Sequence, residues 1–154
     1  MPCPIARTFG ESSGNERRST VTTALEALVR ELDLGRRVRL GYAVLRSEVP
    51  DLLARADVLV NNMLAGAPDK AVYEAAAACI PVLASNPVFD ELLDGLAVEL
   101  RFGRDEPEEL AARIASLAAL DERSRRALGR ALRERVAERH SVESWADRLL
   151  ETVR

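Results

Sequence analysis

Residues 57–85 constrain this chain more than any other stretch. DVLVNN, MLAGAP, DKAVYEAAAAC and IPVLAS follow one another and read as strand, loop, helix and strand. Val58, Leu59 and Val60 form an apolar β-type run with no alternation, and Val82, Leu83 and Ala84 repeat it after Pro81. Such runs predict strands buried on both faces of a parallel sheet. Between them Gly66 and Pro68 break the chain, and Asp69 stands at the N-cap position of a helix. This arrangement places free backbone N–H groups and a positive dipole end at the carboxyl edge of the sheet, where doubly wound proteins bind anions, most often phosphates.

Two charged side chains in that helix call for an explanation. Lys70 sits in the first turn, where the dipole disfavours a cation by about 0.3–1 kcal/mol unless an anion is also present. Glu74 is the one charge between Ala71 and Ser85. A spacing of four puts it on the face of Lys70, and helical side chains lean toward the N-terminus, so it points at the same loop mouth. One reading is a solvated Lys–Glu pair, although Lys before Glu is the poorer order for it. The other is a ligand site.

The chain has 154 residues and a mass of 16.9 kDa, which predicts one domain with room for a real core. A net charge of −3 and a pI near 5.4 give no general attraction to nucleic acid or an anionic membrane. No apolar run approaches the roughly 18 residues of a membrane span, and the N-terminus lacks a signal peptide's apolar region. Cys3 and Cys79 follow no metal-binding spacing, which fits a reduced cytosol and argues against zinc. The expected location is therefore cytoplasmic, with no metal site. His140 is the single histidine and reads as structural, near a helix end. Lys70 is the one lysine among 22 basic residues, and a compact ammonium there can meet a phosphate as a point charge.

In chain order, residues 5–9 are a poor strand candidate after two prolines. A helix is predicted over about 16–34, with Leu25, Leu28, Val29 and Leu32 on one face and Gly35 as its stop. Residues 38–41 are a short second strand, and Ser47 is placed as the cap of a further helix. After the central unit a short helix begins near Pro87 and stops at Gly95. Leu96, Val98, Leu100 and Phe102 alternate with Ala97, Glu99 and Arg101, the period of an edge strand covered on one face. Helices then start at Pro107, after Asp121 and after Ser141. The second carries a Leu128, Leu132 and Val136 stripe on an Arg/Glu-rich rod whose charges read as a solvated face. The last carries Trp145 as a core or interface anchor. Alternating strands and helices predict the α/β class: a Rossmann-like three-layer domain with a parallel sheet and extra carboxy-terminal helices. No G-x-G-x-x-G follows the first strand, so a nicotinamide or flavin fingerprint is absent.

The ordered series EVPDLLARADVLVN, a Gly/Pro loop, VYEAAAACIPVLAS, FDELLDG, EPEELAARI and RHSVESWADRLLE resembles the carboxy-terminal, donor-binding half of glycosyltransferase family 4, of GT-B architecture. The resemblance covers about residues 37–154. It implies retaining, metal-independent transfer of a sugar from a nucleotide diphosphate, with that nucleotide-sugar as substrate and no cofactor. Family members carry two Glu residues separated by seven others. The second, which holds the ribose hydroxyls, matches Glu74; the first, which faces the sugar, falls at Gly66. Some branches carry Gly and then Asp-Lys ahead of the same Glu, and GAPDKAVYE resembles those. Asp69 then either takes over the sugar contact, as the catalytic candidate, or is a plain N-cap. Backbone N–H groups near Lys70 and Ala71 would hold the diphosphate.

By the same resemblance the acceptor-binding domain, and the donor domain's first strand and helix, are missing from residues 1–154. Three functions follow for this single nucleotide-sugar-binding domain. It is the donor-binding portion of a glycosyltransferase, a non-catalytic nucleotide-sugar module, or an assembly partner of a split enzyme. The expected partners are a nucleotide-sugar and an acceptor-binding domain or chain, or a second copy, but not nucleic acid.

Overall fold

Residues 7–8, 15–41 and 43–152 are described in the computed structural model of the chain. The chain divides into two compact units, Met1–Val49 and Pro50–Arg154. It is mixed α/β, and every strand pair in it is parallel.

In the first unit, β1 (Arg7–Thr8) pairs with β2 (Arg39–Leu40) across the crossover helix α1 (Asn15–Glu31). The remainder of the 5–9 strand candidate lies outside the described residues, as does the side chain of Trp145. Helix α1 ends at Glu31, three residues before the end that Gly35 predicts. Asp33 takes φ 51°, the Leu34 N–H bonds to the Val29 carbonyl at 2.9 Å, and the Asp33 N–H bonds to the Arg30 carbonyl at 3.2 Å. This is a Schellman ending, and a short polar side chain tolerates its left-handed position well enough to displace glycine. Ser47 is not a cap either. It lies inside a 3-10 turn, Arg46–Glu48, where the Glu48 carboxylate accepts the Leu45 N–H at 2.9 Å. Helix α2 (Val49–Leu53) follows directly.

The second unit is built on the stretch that opened the sequence reading. β3 (Leu59–Asn61) and β4 (Val82–Ala84) pair in register, Leu59 with Val82 and Asn61 with Ala84, and α3 (Lys70–Ala77) crosses between them. β4 is buried throughout, as its apolar run predicts. β3 departs from the prediction, because Val60 is 36% exposed. Among the described residues β3 has β4 as its ladder partner, whereas β4 is also bridged by Arg101. The single sheet expected from five strands is therefore two small parallel sheets plus that bridge.

Residues 96–102 keep the predicted alternation but not a full strand. Leu100 and Phe102 are buried while Ala97 and Glu99 are exposed, and the ladder is confined to Ala84 bonding Leu100 and Phe102. The Arg101 guanidinium lies within 2.9–3.5 Å of Asp94, Glu99 and Asp90 carboxylates. The Arg101 backbone N–H, donated to Glu99 at 3.1 Å, lowers that carboxylate's pKa, and the guanidinium adds to the effect.

Helices α4 (Asp90–Leu93), α5 (Pro107–Ala118) and α6 (Glu122–His140) contribute Leu92, Leu93, Leu117, Leu128 and Leu132 to one core with β4, and α7 (Val142–Thr152) is the last helix. Pro107 and Asp121 start their helices as predicted. The Asp121 carboxylate accepts the Ser124 N–H at 2.7 Å, and Ser141 Oγ accepts the Ser144 N–H ahead of α7. Leu128, Leu132 and Val136 are buried, so the narrow stripe on α6 is its core face. The charge run of α6 is only partly a solvated face. Arg135 reaches the carbonyls of Leu92 and Asp94 at 2.8 and 2.7 Å, where a cation suits the end of α4.

Helix α3 meets α6 through backbone. Cys79 follows α3 at φ 61°, its N–H bonding to Ala76 and the Ile80 N–H to Ala75. A Cβ on Gly129 would lie 2.2 Å from the Cys79 carbonyl oxygen. Only glycine fits, because the obstructing atom is backbone and cannot rotate away. Gly129→Ala should therefore destabilise the protein by about 1–3 kcal/mol, the usual cost of overpacking. Urea denaturation measures this directly, and an unchanged midpoint would show that α3 and α6 are not in contact there.

Candidate functional site

Parallel pairing brings the carboxyl ends of β3 and β4 to one edge, and the chain leaves both strands through asparagine. Asn61 and Asn86 are the buried polar residues of the described chain, 7% and 3% exposed. Sequence reading missed both. The available signal was an Asn within two residues of the end of each apolar run, at the edge where ligands bind in such folds.

Asn86 organises the loop. Its Oδ1 accepts the Val88 N–H at 3.1 Å, capping the 3-10 turn Pro87–Phe89, and the Gly66 N–H at 3.4 Å. Its Nδ2 donates to the Gly66 and Ala67 carbonyls at 3.5 and 3.4 Å. Ser85 Oγ donates to the Met63 carbonyl at 2.9 Å. The loop between β3 and α3 is thus held from β4's side by side chains that close a ring of otherwise unpaired backbone groups. Gly66 takes φ 155°, a value side-chain-bearing residues rarely adopt, and the space where its Cβ would be is open.

Asp69 is the N-cap of α3: its Oδ1 accepts the Ala71 N–H at 3.0 Å. Its Oδ2 accepts from Asn61 Nδ2 at 2.9 Å. The carboxylate is half-buried and engaged at both oxygens. The Ala71 N–H, expected to face a diphosphate, is in this structure donated to Asp69. Lys70 and Glu74 are exposed one turn apart, and among the described residues they form no ion pair with each other or with another group. The geometry therefore lacks the Lys–Glu pair that was the alternative reading. It leaves an ammonium and a carboxylate at the start of α3, beside the Asp69 cap.

Behind this surface Tyr73 packs edge-on against Phe89, with ring centroids 5.5 Å apart, and against His140 at 4.3 Å. Burial raises the Tyr73 pKa, helped by the charge of Glu91. His140 is the last residue of α6, near the helix end where the sequence places it. Among the described residues no three His, Cys, Asp or Glu side chains are grouped to hold a metal ion, and no helix is long and apolar enough to cross a membrane.

A parallel α/β unit with a capped helix at the carboxyl edge is the class of fold that binds nucleotides there. The comparisons narrow this. The family model described as glycosyl transferase-like matches residues 15–151, and the chain belongs to that family. The structure is similar to sucrose-phosphate synthase from Thermosynechococcus elongatus, with a TM-score of 0.76 and 26% identity over 93% of this chain. The match spans 35% of that enzyme's chain. No curated protein matches the sequence.

The two kinds of polar residue at this edge differ in what they do for the fold. Asn86→Ala should lower stability by about 1–3 kcal/mol, because it leaves buried backbone groups without partners. Glu74→Ala should stay within about 0.5 kcal/mol of the parent, as for a surface position without partners. Denaturant midpoints of the two variants check the contrast; equal losses would mean that Glu74 has a structural partner.

Proposed function

We propose that this chain is the donor-binding portion of a retaining, metal-independent glycosyltransferase that moves a sugar from a nucleotide diphosphate to an acceptor. The observation that carries the reading is the first turns of α3, where Lys70 and Glu74 stand exposed, without an ion pair among the described residues, near an Asp69 held at both oxygens. Residues 1–154 act in it as a nucleotide-sugar-binding domain, whose acceptor is supplied by another domain, a separate chain or a second copy.

Each side chain has a role that its chemistry suits. Glu74 accepts hydrogen bonds from the ribose hydroxyls. Lys70 and the dipole of α3 stabilise the negative charge that grows on the departing nucleoside diphosphate, and both are in place before charge develops. Asp69 faces the sugar, held there by Asn61 and the Ala71 N–H. Gly66 stands where the resemblance places a carboxylate, and it lets the loop backbone approach the donor. No acid–base step is asked of Glu74.

A second reading, nucleotide-sugar binding without turnover, is favoured by one observation. Residue 66 offers no side chain to the sugar, and Asp69 is already engaged at both oxygens. Hydrolysis or transfer from a sugar donor separates the two.

Calorimetric titration with UDP, GDP and ADP, with and without EDTA, tests the common part. Millimolar-range binding of at least one nucleotide, unaffected by EDTA, is the expected result. Glu74→Gln should weaken it about tenfold, equivalent to about 1.4 kcal/mol, and leave inorganic diphosphate unaffected because it has no ribose. Asp69→Asn keeps a competent cap and should weaken sugar conjugates more than bare nucleotides. No binding, or binding abolished by EDTA, contradicts the reading.

A further inference from the structure

Asn61 ends β3 in a position that stability alone would fill with an apolar residue. The residue is 7% exposed, and its Oδ1 is buried with no hydrogen-bond donor among the described residues. A buried acceptor without a donor disfavours folding, whereas an apolar side chain of similar shape does not. The amide end supplies the reason for an asparagine: Nδ2 donates to Asp69 Oδ2 at 2.9 Å, while the Ala71 N–H holds Oδ1 at 3.0 Å. One contact comes from the strand and one from the helix. Together they fix the plane of the carboxylate.

We infer that Asn61 is a positioning residue that aims the Asp69 carboxylate at the sugar of the donor. The inference rests on the donor-site reading above. It assigns to the buried end of β3 the discrimination between a nucleotide-sugar and its bare nucleotide. Glu74, on the exposed face of α3, sets nucleotide affinity as a whole.

Two variants of the whole chain test it, Asn61→Leu and Asn61→Asp. Each is titrated with UDP, GDP and ADP and with their glucose conjugates, alongside thermal melts. Asn61→Leu removes both the amide contact and the orphaned oxygen. Its melting temperature should stay close to the parent's, its affinity for a glucose conjugate should fall about tenfold, and its affinity for the bare nucleotide should change less than about twofold. Asn61→Asp is nearly isosteric and replaces the amide donor with a second carboxylate that repels Asp69. Conjugate affinity in that variant should then fall at least as far as in Asn61→Leu, with the bare nucleotide again changed less than about twofold. Equal losses for nucleotide and conjugate, or no loss beside a parent that binds, would make Asn61 a structural residue and leave the donor site standing. Failure of both variants to fold would do the same. A parent that binds none of the six probes would remove the donor site and this inference together.

Discussion

Helix α3 is fastened at both ends through its own backbone, and the site follows from that. At its start the Asp69 carboxylate takes the Ala71 N–H and ties the helix to the last residue of β3. At its end Cys79 turns the chain in a left-handed conformation, and Gly129 lets α6 close on the Cys79 carbonyl. Between these points Val72, Ala75 and Ala76 are buried to 0% exposure. The small alanines let α3 lie close to its neighbours, while Lys70 and Glu74 stay at the surface. An eight-residue helix is too short to be stable alone. Its orientation is therefore set by contacts with β3, β4 and α6, which also set the direction in which its first turn faces.

The polar framework around β4 extends the same logic. Asn86 spans the start of the Pro87–Phe89 turn and the Gly66–Ala67 backbone, so the two loops at the carboxyl edge are one hydrogen-bonded structure. Arg135 and Arg139 tie α6 to the segment that follows, through the Leu92 and Asp94 carbonyls and the Glu91 carboxylate. Exposed ion pairs such as Arg139–Glu91 add little to stability on their own. The Arg135 contacts differ, because they satisfy carbonyls at a helix end that would otherwise have no partner.

The strand–loop–helix–strand unit was legible because its apolar runs lack alternation and Gly66, Pro68 and Asp69 punctuate them. The capped starts at Asp121 and Ser141 were legible for the same local reason: short oxygen-bearing side chains precede helical periodicity. What the sequence concealed was set by tertiary context. Left-handed turns were sought at glycine, yet Asp33 and Cys79 adopt them. Residues 96–102 carry the period of a strand, but the ladder needs neighbours that no period encodes. Asp69 and Glu74 were visible as candidates from their spacing. Asn61 and Asn86 were not, since an isolated asparagine after a strand reads as an ordinary turn residue until burial and partners are known. Of the function, membership in the glycosyl transferase-like family was legible from ordered short motifs; the residue roles remain proposals.

The central claim is that the carboxyl edge of β3 and β4 receives a nucleotide-sugar, and amide chemical-shift mapping tests it most directly. The isotope-labelled chain would be titrated with the glucose conjugates of UDP, GDP and ADP. The account predicts saturable shifts for at least one of them, clustered at residues 61–74 and 85–88. Shifts confined to the opposite edge, where Asp57, Cys79, Pro81 and Arg130 border a separate recess, would contradict it, as would the absence of any saturable change.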